Sequence, residues 1–129
     1  MRTSTQFSIS LVNRPGALAA VTGALAEAGI NLVAMTLGDV GDGGLLRVVC
    51  DDADAARSLL RDGEDPWRET EVLVVEMTHR PGGFAEVARR LGEAHVNITY
   101  AYATAGAKSG KVLAVLKVAD INRAQEALQ

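Results

Sequence analysis

A repeat at a constant spacing of 66 residues constrains this chain more than any other feature of its sequence. Asn13-Arg14-Pro15-Gly16-Ala17-Leu18 returns as His79-Arg80-Pro81-Gly82-Gly83-Phe84, and Ile30-Asn31-Leu32 returns as Val96-Asn97-Ile98. Between positions 13 and 32, nine of twenty residues equal their partners: Arg14, Pro15, Gly16, Ala19, Val21, Leu25, Glu27, Ala28 and Asn31. Composition alone gives about one or two. Asp54 and Arg57 are echoed by Asp120 and Arg123 at the same offset, so the match is expected to run without a gap to Arg57, where it fades. A repeat of this length means duplication of a whole folding unit, and two units in 129 residues must each be small.

Each half reads alike. Residues 5–12 and 71–78 are rich in β-branched and apolar side chains and run into turn residues, as strands do. Past Gly16 and Gly82 the period changes. Leu18, Val21, Leu25 and Ala28 fall on one helical stripe, and so do Phe84, Val87, Leu91 and Ala94. Gly29 is the expected stop of the first helix, with His95 a poorer stop at the matching place. Strands are predicted at 30–38 and 96–103. Hairpins follow at Gly41-Asp42-Gly43-Gly44 and at 106–110, then strands at 45–51 and 111–118. Helices over 53–61 and 120–128 and a strand at 67–70 complete the pattern. The fold class is therefore α+β: two ferredoxin-like βαββαβ units in tandem, each an antiparallel sheet with its helices on one face. The division is set at Pro66, giving domains 1–66 and 67–129. No strand follows the last helix, so the second unit is expected to lack its final strand.

The turn-helix-strand residues carry a further signal. A strand ending in Asn13-Arg14-Pro15-Gly16-Ala17-Leu18, then a helix, then Gly29-Ile30-Asn31-Leu32, resembles the pattern of ACT domains, and the second half repeats it. The whole chain resembles small bacterial proteins made of two ACT domains. The resemblance implies a regulatory module, not an enzyme, that binds a small amino acid at an interface between ACT units, against the turn before the first helix. It implies contacts from Asn13, Arg14, Pro15, Gly16, Ala17, Leu18 and Asn31, with His79, Gly82, Gly83, Phe84 and Asn97 as the second set. His79 in place of Asn13, and His95 in place of Gly29, point to a weaker second site.

Physical chemistry alone allows two uses of the first turn. The opening of a helix presents N–H groups without partners at the positive end of its dipole, and Gly16 lets a ligand carboxylate come close. The same residues serve equally as a plain strand-to-helix turn with Pro15 near the first helical position. Two function classes follow: a free-standing amino-acid sensor, or an ACT pair that binds no ligand and assembles with itself or with an enzyme. At least a homodimer is expected. Asn31, Val33, Met35 and Leu37 would share one strand face and Leu32 and Ala34 the other, leaving apolar surface on both.

Other classes find little support. The net charge of −3 and pI of about 5.3 offer no basic surface to nucleic acid. An RNA-recognition domain of this topology needs stacking aromatics on its central strands, and 45–49 and 112–116 have none; Tyr100 and Tyr102 read as packing or interface residues. No apolar run is long enough to cross a bilayer, and no leader is visible, so the expected location is the cytoplasm. Cys50 is the sole cysteine and reads as a small core residue; His79 and His95 lack metal-ligand spacing, and no cofactor is expected. Gly106-Ala107-Lys108-Ser109-Gly110-Lys111-Val112 has some phosphate-loop character, but Val112 stands where Ser or Thr is required. No catalytic set can be assembled.

Overall fold

The computed structural model describes residues 1–105 and 110–129. The elements are β1 (Arg2–Val12), α1 (Ala17–Glu27), β2 (Leu32–Val40), β3 (Gly43–Cys50), α2 (Ala53–Asp62), β4 (Trp67–Thr78), α3 (Gly83–Glu93), β5 (Ile98–Ala105), β6 (Lys111–Val118) and α4 (Ile121–Leu128). The second hairpin and the phosphate-loop-like segment, 106–109, lie outside the described residues.

The chain divides into two compact units. One is Thr5–Thr70; the other joins Met1–Ser4 to Glu71–Gln129. A cut at Pro66 differs from this at both ends: Met1–Ser4 group with the second unit, and 67–70 with the first. Residues 67–70 and 71–78 are one strand, β4, so β1 and β4 each serve both units. In the first unit the strand order is β2-β3-β1-β4. In the second it is β1-β4-β6-β5, so the start of β1 lies beside β4 where no strand follows α4.

Alternation decides which side chains meet the helices. In the first unit Phe7, Ile9 and Leu11 of β1 and Leu46, Val48 and Cys50 of β3 point to one face. They close a core with Val21 and Leu25 of α1 and Ala56 and Leu60 of α2. In the second unit Leu73 and Val75, then Ala114, Leu116 and Val118, do the same with Val87 and Leu91 of α3 and Ala124 of α4. Each unit thus has helices on one face of an antiparallel sheet, as the pattern required.

Register corrects two expectations. Val12 pairs with Gly43, but Thr78 pairs with Lys111, and the buried Ala56 has its counterpart in Ala124. After the hairpin the equivalence therefore moves from 66 to 68 residues. The echo of Asp54 and Arg57 in Asp120 and Arg123 is not a structural one. Asp54 forms an ion pair with Arg57 at 2.7 Å, whereas Asp120 caps α4 by accepting from the Arg123 N–H at 3.1 Å. The true counterpart of Asp120 is Asp52, which caps α2 through the Ala55 N–H at 3.0 Å.

The second correction concerns β2. Its pairing with β3 is irregular between Leu32 and Ala34, so Val33 interrupts the alternation. Leu32 packs on the helix-side core, and Met35 and Leu37, opposite Val48 and Leu46, face that same side. Strict alternation placed Leu32 on the other face from Met35 and Leu37. Met35 and Leu37 are still 39% and 46% exposed, because α1 and α2 do not reach across the edge strand.

The two first helices end alike. The Ile30 N–H donates to Leu25 O at 3.0 Å and the Gly29 N–H to Ala26 O at 3.0 Å. Val96 donates to Leu91 O at 2.9 Å and His95 to Gly92 O at 3.0 Å. This pair of bonds is the Schellman closure, which needs a left-handed residue just past the helix. Gly29 supplies φ +75°, and His95 is forced to +58°.

Candidate functional site

The turn Asn13–Leu18 is built by short-range constraints. Pro15 fixes its own φ, Gly16 turns to φ +88° as the N-cap, and α1 starts at Ala17. Pro15 thus stands two residues before the helix, not at its first position. The Arg14 N–H donates to Val12 O at 3.0 Å and the Ala17 N–H to Arg14 O at 3.3 Å. The Ala17 N–H is therefore already engaged. The next two, on Leu18 and Ala19, meet no acceptor among the described residues, and no side chain caps the helix.

Antiparallel pairing brings a second segment to this turn. Because Val12 lies opposite Gly43 and Asp39 opposite Gly44, the β2–β3 hairpin ends beside the end of β1. The result is a pocket of about 300 Å³ lined by Leu11, Val12, Asn13, Arg14, Ala17, Leu18, Leu37, Gly38, Asp39, Gly43 and Gly44. Glycine keeps it open: a Cβ on Gly43 would come within 3.2 Å of Leu11 O, and one on Gly44 within 3.4 Å of Leu37 Cδ1. Arg14 and Asp39 put one cation and one anion on its wall. Among the described residues neither has an ion-pair partner. Asp39, Leu37 and the two glycines escaped the reading of the sequence. The signal was present, since a β2–β3 hairpin whose second strand pairs antiparallel with β1 must end beside the β1–α1 turn.

Of the residues the resemblance implied, Asn13, Arg14, Ala17 and Leu18 line the pocket, and Pro15 and Gly16 shape the turn without lining it. Asn31 is elsewhere. It stands at the start of β2, whose Leu32 pairs with Cys50 while Val40 pairs with Gly43. The strand between them spans roughly 25 Å, so within the unit Asn13 and Asn31 cannot hold the same small ligand. Asn31 instead has its N–H on Asp51 Oδ1 at 2.9 Å and its carbonyl on the Asp51 N–H at 3.0 Å. Asn97 is placed likewise, its carbonyl accepting from Ala119 at 3.0 Å. His95, at the end of α3, is remote from the second turn for the same reason and fills no space there.

The second turn forms a smaller pocket, about 180 Å³, lined by Met77, Thr78, His79, Arg80, Phe84, Ala103 and Val112. Gly82 holds φ +87° and Gly83 opens α3; neither lines the pocket. Register explains the reduction. Phe84 takes the place of Leu18. Ala105 pairs with Val112 as Asp39 pairs with Gly44. The carboxylate is replaced by a methyl group and the open glycine by an isopropyl group.

Among the described residues no group of three His, Cys, Asp or Glu side chains is placed to hold a metal, and no helix is long and apolar enough to cross a membrane. Cys50 is buried, and burial, reinforced by the Asp51 carboxylate, pushes its thiol up to about 11. That removes the thiolate on which reactivity depends.

Comparison with known proteins places this geometry in a family. The chain is 31% identical to protein BT0572 from Bacteroides thetaiotaomicron, covering 98% of this chain and 86% of that one, with a TM-score of 0.89. The ligand-free regulatory subunit of aspartate kinase from Thermus thermophilus shares the fold at 20% identity and a TM-score of 0.68, over 99% of this chain and 93% of that one. Aspartokinase III of E. coli, solved with lysine and aspartate, shares it at 22% identity and a TM-score of 0.65; all of this chain matches 30% of that one. No curated protein matches. The ACT domain pair family matches residues 2–129, and with two βαββ-type units, two Pro-Gly turns and that match in hand, the chain belongs to the ACT domain pair family.

Proposed function

We propose that this chain is a non-catalytic regulatory protein whose first unit binds a small α-amino acid in the pocket between the β1–α1 turn and the β2–β3 hairpin. One observation carries the reading: a single pocket of about 300 Å³ presents Arg14 and Asp39, two opposite charges without ion-pair partners. An amino acid carries the complementary pair. Its carboxylate would accept from the Arg14 guanidinium and the Leu18 and Ala19 N–H groups at the positive end of α1. Its ammonium would donate to the Asp39 carboxylate, and the Asn13 amide can serve either end. Leu11, Leu18 and Leu37 leave an apolar wall for a short uncharged side chain. The second turn has Arg80 but no counterpart of Asp39, so it binds amino acids weakly or not at all.

Calorimetry over the standard amino acids is the test, with Asp39→Asn and Arg14→Ala beside the parent. Each variant is expected to weaken binding by about tenfold or more, the usual cost of leaving a charged ligand group unpaired. His79→Ala should change little. If no amino acid binds the parent or shifts its thermal midpoint, the pair is a structural assembly module. Equal losses from His79→Ala and Arg14→Ala would mean two equivalent sites.

We also propose that the protein is at least a homodimer, through the open edge of β2. Support comes from Met35 and Leu37, exposed on that edge strand. Light scattering that gives a monomer mass at tens of micromolar counts against it.

A further inference from the structure

The face of the first unit's sheet away from its helices holds a hollow that the amino-acid reading does not use. It measures about 400 Å³ and is lined by Ser8, Ser10, Leu11, Val40, Gly43, Gly44, Leu45, Pro66, Trp67 and Arg68. Phe7, Ile9 and Leu11 face the helices, so Ser8 and Ser10 point the other way, into this hollow. Ser8 is 4% exposed. Its hydroxyl accepts one long bond, 3.4 Å from Gln6 Nε2, and donates to nothing among the described residues. A buried hydroxyl proton without an acceptor is unusual in a folded protein. Arg68 is exposed and has no ion-pair partner among the described residues, because the adjacent carboxylate, Glu69, is taken by Arg57 at 2.6 Å. Arg47, opposite Ser8 on β3, adds positive potential to this face.

We propose that this hollow is a second binding site, for a small aliphatic monocarboxylate that carries no ammonium group. The wall supplies donors only: the Ser8 and Ser10 hydroxyls and the Arg68 guanidinium, whose planar fork matches a carboxylate. No acidic side chain lines it, so an ammonium group finds no partner, in contrast to the pocket with Asp39. Val40, Leu45 and Pro66 give an apolar wall on which a short branched chain packs. A single lining guanidinium balances one negative charge, which favours a carboxylate over a phosphate dianion. Leu11, Gly43 and Gly44 line both pockets, so the two ligands meet opposite sides of the same stretch of β3.

The test uses the full chain and 3-methylbutanoate as probe, followed by amide chemical shifts. The expected result is saturable movement of the Ser8, Ser10, Leu45 and Arg68 amides, with an affinity about tenfold weaker in Arg68→Gln and several-fold weaker in Ser8→Ala. Arg68 is on the surface, so the Gln variant keeps the fold, and both variants keep amino-acid binding at the first pocket. Four results would overturn the proposal: no shift with the probe; shifts confined to Asn13, Arg14 and Leu18; affinity unchanged in both variants; or equal binding of 3-methylbutylammonium or inorganic phosphate. Because the probe lacks an ammonium group, failure here leaves the amino-acid reading intact, and loss of amino-acid binding leaves this site intact.

Discussion

Exchanging the residues that close α1 and α3 isolates a single backbone cost. Gly29 and His95 occupy the same Schellman position, at φ +75° and +58°. A left-handed conformation costs a non-glycine residue about 1–2 kcal/mol, offset by the greater unfolded-state entropy of glycine, about 0.5–1 kcal/mol. The net is about 0.5–1 kcal/mol in favour of glycine. Nothing else enters the comparison. A Cβ built on Gly29 meets no atom within 4 Å, so Gly29→Ala carries no steric term, and the exposed His95 makes no hydrogen bond through its side chain among the described residues. His95→Gly is therefore expected to stabilise the protein by about 0.5–1 kcal/mol and Gly29→Ala to destabilise it by a similar amount. In thermal midpoint each change is about 2–5 °C for a chain of this size. Denaturant titration with unchanged slope gives the free energies, and scanning calorimetry the midpoints. A His95→Gly protein less stable than the parent would refute the reasoning, since it would show that the histidine ring makes a stabilising contact worth more than the backbone strain.

Three further outcomes are expected. Asp52→Ala and Asp120→Ala each remove a helix cap and should cost about 1 kcal/mol by urea titration; a null result for both would mean that water replaces the caps at no cost. Leu91→Ala empties a fully buried position in the second core and should cost about 2–5 kcal/mol on the same titration. The raised Cys50 thiol makes stability depend on alkaline pH. Below about pH 9 both folded and unfolded chains keep the proton; between 9 and 11 only the unfolded chain loses it, so stability falls as pH rises through that window. Cys50→Ala should flatten the curve there, and the parent thiol should react with a disulfide reagent only on unfolding.

Most of the fold was legible because two periodicities, 2 and 3.6, each appear twice at one offset. Leu18, Val21 and Leu25 spelled out α1, and their echoes spelled out α3. The caps were not legible in the same way. Asp54 and Asp120 match in the linear comparison, yet Asp52 is the cap, because the longer second hairpin shifts the equivalence by two residues. The bulge at Val33 is equally silent, since no glycine or proline marks it. The turn half of the site could be read from Asn13 to Leu18, where its geometry is local. Asp39 could not, since nothing in its own neighbourhood separates a pocket carboxylate from a solvated hairpin charge. Asn31 misled because the sequence keeps its distance from Asn13 fixed at 18 residues, while the sheet turns that interval into the full length of a strand.

The grouping of Met1–Ser4 with Glu71–Gln129 also has a bearing on how the chain is made and how it can change. On the ribosome the first unit has all its parts once residue 70 has emerged, but the opening residues of β1 must wait for the rest of their own unit, so their closure is the long-range step of folding. The same arrangement acts as a ratchet on the duplication. A gene reduced to one half would leave part of β1 or part of β4 without the strand beside it, an open edge prone to sticking. Once the copies shared two strands, losing either became costlier than keeping both, and one turn was free to lose its carboxylate while its unit stayed indispensable.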